Sequence, residues 1–193
     1  MKKELIVIGG SAGSVDVVMN MVPQLPAIYP SAVVIVLHRK SMQDDLLLQL
    51  LQQRSKITVK EVVTNEPILP GIVYLAPPDY HLLIENDRTL TLDCSEKINH
   101  SRPSIDVTME SASDAYGNNL TGILLTGANK DGADGMKAIM DQGGHIIIQN
   151  PENAEVATMP QAAVDLTNGV VMDIPDITEL LTRLNGNSSH NGK

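Results

Sequence analysis

The amino-acid sequence predicts an α/β fold: a doubly wound, mostly parallel sheet with helices on both faces and an antiparallel hairpin as an appendage. Two observations lead to this prediction. Short continuous apolar runs, typical of strands buried on both faces, occur at residues 5–8, 33–37, 121–125 and 145–149. Segments with apolar residues at helical spacing separate most of these runs, which is the alternation expected of βαβ units.

The helical segments begin at polar residues that can cap a helix. The predicted caps are Ser14, Ser41, Ser104 and Asp131. The middle of the chain differs, because residues 81–85 and 89–93 flank a short polar turn and are predicted to pair as a hairpin. Near the end, residues 170–173 predict a short strand and residues 176–184 a last helix.

Length and composition restrict the class of protein. The 193 residues suit one domain, at residues 1–184, followed by a tail at 185–193 that is predicted to be disordered. The net charge of −9 and the absence of Phe and Trp argue against a nucleic-acid partner. No apolar run reaches the roughly 18 residues of a membrane helix, and no secretory signal begins the chain, so we expect a cytoplasmic protein without membrane insertion.

Ser11 is the candidate nucleophile. Gly9, Ser11 and Gly13 form a G-x-S-x-G pattern directly after the first predicted strand. The glycines permit a sharp turn, and the helix start that follows offers free N–H groups, among them that of Ala12, to an oxyanion. A glycine-rich turn between strand and helix also suits a phosphate, although no standard nucleotide motif is present. From this motif alone, a hydrolase and a nucleotide-binding module both remain open.

His38 and Asp131 are the other two groups that serine hydrolysis needs. His38 ends the second apolar run and is interpreted as the base, although a capping or solvated histidine fits the same position. Asp131 follows the third run and can orient the imidazole, while a plain helix cap explains it equally well. Because parallel strands end at one edge of the sheet, we expect Ser11, His38 and Asp131 to meet there.

The chain order Ser, His, Asp differs from the Ser, Asp, His order of α/β-hydrolases, so the motif does not predict that superfold. Instead, the ordered segments resemble the catalytic domain of chemotaxis protein-glutamate methylesterases of the CheB type. The resemblance extends over roughly residues 5–180, and the matching stretches are VIGGSAG, VLH, YLAP, SRPSIDV, LTGANKDGA, QN and MP. It implies a serine hydrolase with no cofactor and no metal, in which Ser11 is the nucleophile, His38 the base and Asp131 the orienting acid.

The resemblance also implies the substrate and its surroundings. The expected substrate is a glutamyl methyl ester on the signalling domain of a methyl-accepting chemotaxis receptor, with deamidation of receptor glutamines as a related activity. Ala12, Gly13 and Ala128 are expected around the oxyanion and substrate, although Ala128-Asn129 replaces a frequent Met-Gly of the family. Arg102 is expected at the rim of the cleft, where a helix entry explains its segment equally well.

No phospho-acceptor receiver domain is predicted ahead of the catalytic domain. We therefore expect a stand-alone esterase, one that a receiver or methyltransferase partner regulates in trans, or a part of a longer protein. The alternative function is a non-catalytic module of the same α/β architecture, which binds a nucleotide or phosphate or serves as a signalling scaffold.

Overall fold

The structure, a computed structural model, describes residues 4–39, 44–98 and 100–183. The predicted alternation of strands and helices is confirmed there. The strands are β1 (Leu5–Gly10), β2 (Ala32–Leu37), β3 (Thr58–Glu61), β4 (Glu66–Pro67), β5 (Ile72–Leu75), β6 (His81–Ile84), β7 (Thr89–Asp93), β8 (Leu120–Leu124), β9 (His145–Gln149) and β10 (Val170–Met172). The helices are α1 (Ser14–Met21), α2 (Asp44–Arg54), α3 (Ile105–Tyr116), α4 (Ala133–Asp141), α5 (Thr158–Leu166) and α6 (Ile174–Arg183).

Seven of these strands form one sheet in the order β10-β9-β8-β1-β2-β5-β3. All neighbouring strands in it run parallel, as predicted. The chain builds the sheet outward from β1 through β2 and later returns to the other side of β1 with β8. This reversal makes the sheet doubly wound, and the carboxyl edge beside β1 is the point at which such sheets bind ligands.

Alternate residues of β1 face opposite sides of the sheet, and each side has its own apolar core. Leu5 and Val7 belong to a core shared with α3, α4 and α5. Ile6 and Ile8 belong to the other core, with α1, α2 and α6. All four side chains are at most 1% exposed, which explains why β1 is a continuous apolar run. Helices therefore cover both faces, as predicted.

The predicted hairpin is confirmed and belongs to a slightly larger sheet. β6 and β7 pair antiparallel, from His81 opposite Asp93 to Ile84 opposite Leu90. The two-residue strand β4 adds a third strand beside β7 and is too short to produce a strand pattern in the sequence. Leu82, Ile84 and Leu90 join the core beneath α3, so the small sheet packs firmly on the domain.

The predicted caps of α1 and α3 have different outcomes. Ser14 is wrong as a cap, because Gly13 holds the N-cap position and Ser14 is the first helical residue. The Ser14 hydroxyl instead donates to the backbone oxygen of Ser11. Ser104 is confirmed as the N-cap of α3, where its side chain accepts a hydrogen bond from the N–H of Val107.

The helix predicted to begin at Asp131 begins at Ala133 instead, with Gly132 as its N-cap. Gly132 has a φ of 98°, a left-handed conformation that glycine adopts at little cost. The turn lies between Asp131 and α4, and the Asp131 carboxylate binds the start of α3. The predicted cap at Ser41 and the predicted tail at 185–193 lie outside the described residues.

Candidate active site

Ser11 and His38 leave the sheet next to each other. Gly10 and Leu37 are register partners at the ends of β1 and β2. One residue later, the N–H of His38 donates to the backbone oxygen of Gly10 over 3.1 Å. Ser11 and His38 are both half-buried, so the carboxyl edge of the sheet presents their side chains at adjacent positions.

His38 is hydrogen-bonded to Asp131, with its Nε2 2.7 Å from the carboxylate Oδ2. The His38 side chain is 12% exposed and that of Asp131 is fully buried, at 0%. Because an ionised carboxylate only accepts hydrogen bonds, Nε2 carries the proton of the neutral imidazole and Nδ1 keeps its lone pair. The nitrogen able to act as a base is therefore Nδ1, the reverse of the chymotrypsin arrangement, in which Nδ1 faces the aspartate.

The Asp131 carboxylate lies at the N-terminus of α3. Its Oδ2 accepts the N–H of Ile105 at 2.7 Å and its Oδ1 that of Asp106 at 3.1 Å. The Ser104 hydroxyl donates to Oδ1 over 2.8 Å. Burial raises the pKa of Asp131, but the hydrogen bonds from His38 and from the two amides outweigh burial and hold that pKa below its usual range. Asp131 therefore stays charged while it holds the imidazole.

Asp106 makes the reciprocal arrangement at the start of α4. Its Oδ1 accepts the N–H groups of Gly132 and Gly135 at 2.7 and 2.8 Å. Burial raises the pKa of Asp106 to about 7, with a further contribution from the nearby charge of Asp131, although the two amides lower it. Asp131, which precedes α4, thus binds the start of α3, and Asp106, at the start of α3, binds the start of α4. These two contacts tie the loop before α4 to α3.

The N-terminus of α1, which follows Ser11, has no such side chain. Its N-cap is Gly13, with a φ of 80° and no capping hydrogen bond from a side chain. The Ser14 N–H is used by the backbone oxygen of Ser11. In the described part of the chain, the N–H groups of Ala12 and Gly13 have no acceptor. Two amides beside Ser11 are therefore available to a ligand.

Thr126, which the sequence reasoning missed, connects the loops around the site. Its backbone oxygen accepts the N–H of Ser11 at 2.9 Å. Its hydroxyl donates to the backbone oxygen of Ala12 at 3.0 Å and accepts from the N–H of Val156 at 2.9 Å. Ala128, two residues later, is exposed and lies in the loop that Thr126 anchors against Ser11 and Ala12. Thr126 thus fixes the serine turn relative to the loops after β8 and β9.

A polar cleft of about 350 Å³ opens beside His38. Arg102, which we predicted at the rim, lies in its wall, and its Nη1 donates to the backbone oxygens of Cys94 and Ser95 at 2.8 and 2.7 Å. Five of the lining residues, His38 included, are basic or contain imidazole, within a chain of net charge −9. With His38, the lining comprises Arg39, Asp79, Lys97, His100, Ser101 and Arg102.

Ser101 approaches the free nitrogen of His38, with its Oγ 3.4 Å from Nδ1. The side chain of Asn129 donates to Ser101 Oγ at 3.3 Å and accepts the N–H of Asp131 at 3.2 Å. Among the described residues, no hydrogen bond joins the Ser11 hydroxyl to His38. Catalytic hydrogen bonds of this kind are often long until substrate binds. His38 and Asp131 are thus in contact, while Ser11 lies at the neighbouring strand end.

The residues that sequence reasoning missed share one property: each is polar and takes part in a contact between segments distant in the chain. They include Thr126 just after β8, Ser101 in the segment between β7 and α3, and His81, which is 1% exposed. An isolated Thr at the end of an apolar run is the kind of signal that identifies Thr126, since a buried hydroxyl must find a partner. For Ser101, no signal in the sequence indicates the neighbour that it meets.

The described residues offer no alternative centre for chemistry based on a metal. Within residues 4–39, 44–98 and 100–183, no group of three or more His, Cys, Asp or Glu side chains is arranged to hold a metal ion. In the same ranges, no helix combines the length and the apolar character required to cross a membrane.

The comparisons with known proteins agree with one another on the family. Residues 6–181 match the family model described as CheB methylesterase. A putative protein-glutamate methylesterase/protein-glutamine glutaminase of Leptospira interrogans is 43% identical, and the match covers 97% of this chain and 98% of that protein. A protein-glutamate methylesterase/protein-glutamine glutaminase of Carboxydothermus hydrogenoformans is 38% identical over 90% of this chain but only 52% of its own length.

The fold gives the same result. The crystal structure of the Thermotoga maritima CheB methylesterase catalytic domain superposes with a TM-score of 0.87 at 32% identity, covering 95% of this chain and 100% of that chain. A match of this quality over nearly the whole length shows that the two chains share the doubly wound sheet. With the family model and the relatives in agreement, the chain belongs to the CheB methylesterase family.

Proposed function

We propose that this protein is a serine hydrolase that cleaves glutamyl methyl esters on the signalling domain of a chemotaxis receptor, with Ser11, His38 and Asp131 as its catalytic residues. The observation that carries the proposal is the 2.7 Å hydrogen bond between His38 Nε2 and the buried Asp131. It leaves the other imidazole nitrogen, Nδ1, without a proton, on a residue whose strand end lies next to that of Ser11. A neutral, oriented imidazole beside a serine is the arrangement that activates a hydroxyl.

In the first step, Ser11 Oγ attacks the carbonyl carbon of the ester while its proton passes to His38 Nδ1. The imidazolium formed is stabilised by Asp131, which remains ionised because its pKa lies below the usual range. The oxygen of the tetrahedral intermediate becomes negative. The N–H groups of Ala12 and Gly13, which have no acceptor among the described residues, donate to it at the start of α1.

In the second step, the intermediate collapses and the bond to the methoxy oxygen breaks. That oxygen takes the proton from His38 Nδ1 and leaves as methanol, so the enzyme holds a glutamyl ester on Ser11. A water molecule then gives a proton to Nδ1 and attacks the acyl carbon. Collapse of the second intermediate returns the proton to Ser11 Oγ and releases the glutamyl carboxylic acid, which loses its own proton to solvent as the carboxylate. Amide cleavage passes through the same type of intermediate, which supports deamidation of glutamine as a second activity.

The substrate assignment is supported by the relatives and by the cleft. The relatives from Leptospira interrogans and Carboxydothermus hydrogenoformans are named for the methylesterase and glutaminase activities. In this chain the cleft beside His38 is lined by Arg39, Lys97 and Arg102, which favours an acidic protein segment as the ligand. Carboxylates are the side chains that surround an ester in a glutamate-rich segment. The proposed partner is therefore the receptor domain that carries the ester.

The decisive experiment measures methanol released from a methylated receptor signalling domain. We expect the wild-type protein to release methanol and Ser11→Ala to lose at least about 10⁴-fold in rate, the typical effect of removing a catalytic serine. Circular dichroism and the melting temperature report whether the variant is folded. A folded Ser11→Ala protein with a rate near that of the wild type would overturn the assignment.

Covalent labelling separates the two hydroxyls near His38. A fluorophosphonate probe should modify wild-type protein and Ser101→Ala at Ser11, and it should fail to modify Ser11→Ala. An adduct at Ser101 would show that our proposal names the wrong serine as the nucleophile. Specific binding of a nucleotide at micromolar concentration, with neither labelling nor methanol release, would instead support the phosphate-binding alternative for the turn at Ser11.

A further inference from the structure

We propose that His81 is a positioning residue for Asp131, and that it acts through the backbone of Ser104. The proposal rests on the proposed function, because it assumes that Asp131 orients the catalytic base. His81 begins β6, in the small antiparallel sheet, and does not line the cleft beside His38. The inference gives the small sheet a role in the site that its separate position does not suggest.

The protonation state of His81 follows from its two hydrogen bonds. Its Nδ1 lies 3.1 Å from the backbone nitrogen of Ser104, and its Nε2 lies 2.9 Å from the backbone oxygen of Glu96. A backbone N–H only donates and a carbonyl only accepts. Nδ1 must therefore be the acceptor and Nε2 must carry the proton. His81 is 1% exposed, so water does not compete for either position.

Ser104 transmits this contact to the catalytic aspartate. It is the N-cap of α3, in an extended conformation with φ −97° and ψ 131°, and its side chain donates to Asp131 Oδ1 over 2.8 Å. Ser104 is 0% exposed, so without the His81 acceptor its N–H becomes a buried donor without a partner. A buried donor without a partner destabilises the arrangement that leaves it unpaired, so the segment is expected to shift. A shift of Ser104 moves the hydroxyl and the α3 amides that hold Asp131.

Two other hydrogen bonds join the same strand to α3. The Thr108 hydroxyl donates to the backbone oxygen of Leu82 at 2.7 Å, and Ser111 Oγ accepts the N–H of Ile84 at 3.1 Å. Both lie further along α3, beyond the residues that contact Asp131. Ser111→Ala is therefore a matched control, because it also removes a contact between β6 and α3.

Two substitutions at His81 separate its two hydrogen bonds. The Asn side chain has its oxygen as many bonds from Cα as Nδ1 of His, so His81→Asn keeps an acceptor for Ser104. The Gln side chain has its nitrogen at the distance of Nε2, so His81→Gln keeps a donor for Glu96 and loses the acceptor. If His81 only filled space or held Glu96, the Gln variant would be the better replacement.

We expect His81→Gln to lower kcat for methanol release by roughly fivefold to tenfold with little change in KM, the scale of one lost hydrogen bond. His81→Asn should stay within about threefold of the wild type, and Ser111→Ala should lower the melting temperature without lowering kcat. The proposal would be overturned if His81→Asn and His81→Gln lowered kcat equally. It would also be overturned if His81→Gln lowered only the melting temperature and not kcat.

A spectroscopic readout keeps this test independent of the proposed function. In the Ser11→Ala background, the proton of His38 Nε2 that is bound to Asp131 gives a low-field NMR signal whether or not the protein hydrolyses an ester. We expect that signal to shift or broaden in His81→Gln and to persist in His81→Asn and Ser111→Ala. A signal unchanged in all three variants refutes the positioning role, whereas absent methanol release in the wild type refutes only the proposed function.

Discussion

The N-termini of α1 and α3 differ in what binds their first amides. At α3, the carboxylate of Asp131 accepts the N–H groups of Ile105 and Asp106. At α1, Gly13 is the N-cap and no side chain caps the helix. Both helix starts lie at the carboxyl edge of the same sheet, near the ends of β1 and β8. The first amides of α3 are thus bound by a carboxylate of the protein, whereas those of α1 have no side chain bound to them.

This difference indicates that the two helix N-termini stabilise different negative charges. A helix N-terminus stabilises negative charge through its free N–H groups and its dipole. At α3 this property holds a permanent charge, Asp131, in the place where it binds His38. In the proposed mechanism, the same property at α1 serves a charge that arises only during the reaction, next to Ser11. A side chain that capped α1 would compete with the substrate for these amides.

The largest effect on kcat is expected from a substitution of Asp131, the residue that binds the N-terminus of α3. Asp131→Asn keeps an oxygen that can accept from the α3 amides, but it removes the charge that stabilises the imidazolium. We expect kcat to fall about 10³- to 10⁴-fold, because an amide favours the wrong imidazole tautomer. The free energy of unfolding, from urea titration, should change much less than in a variant that also removes the cap, such as Asp131→Ala. An Asp131→Asn protein within tenfold of wild-type kcat would contradict this assignment.

The substitution Gly13→Ala tests the N-terminus of α1. A Cβ at Gly13, where φ is 80°, would lie 2.7 Å from Glu155 Oε2 and 2.8 Å from Glu155 Cβ. The backbone must shift to relieve this contact, so we expect kcat/KM to fall about 10- to 100-fold, less than the loss of a whole oxyanion donor.

Gly143→Ala is the matched control for that substitution. Gly143 has a similar φ of 78°, but the nearest atom to its added Cβ is 3.7 Å away, on Asn118. It should cost about 1 kcal/mol of stability, as expected of a left-handed alanine, and leave kcat/KM unchanged. If both variants lose stability equally and neither loses activity, the amides at α1 are not the oxyanion site.

The smallest effect concerns Asp106, which closes α4 with a carboxylate whose pKa is raised to about 7. The folded protein then holds a proton on Asp106 that the unfolded chain has released above about pH 4. Its contribution to stability is therefore full below about pH 4 and is lost as the pH rises through 7. Asp106→Asn resembles the protonated form, so its stability relative to wild type should rise with pH.

We expect Asp106→Asn to exceed the wild type by on the order of 1 kcal/mol at pH 8, with the difference shrinking at pH 5. Urea unfolding at both pH values measures it. The comparison with Asp131 is the useful one, because its pKa is lowered and its stabilisation is instead lost as the pH falls below the usual range of an aspartate. If the difference in unfolding free energy between wild type and Asp106→Asn did not vary with pH, the raised pKa of Asp106 would be contradicted.

Much of the fold was predictable from local patterns. The runs that became β1, β2, β8 and β9 are apolar at every position because both faces of the sheet are covered, and that pattern is visible without any contact map. The hairpin at β6 and β7 was predictable for the same kind of local reason. The two-residue β4 was not, because a strand of that length exists only through its partner, β7.

The sequence by itself determined the central strands β1, β2, β8 and β9, the hairpin of β6 and β7, the glycine-rich turn at Ser11 and the family to which the chain belongs, since these depend on residues near each other in the chain. Ser11, His38 and Asp131 remain predictions as catalytic residues. Only the tertiary structure decided that Asp131 binds α3 rather than capping the helix after it, that Nδ1 of His38 is the free nitrogen, and that His81 supports Ser104. Each of these depends on a hydrogen bond between distant segments, and the direction of such a bond is set by how helices and strands pack.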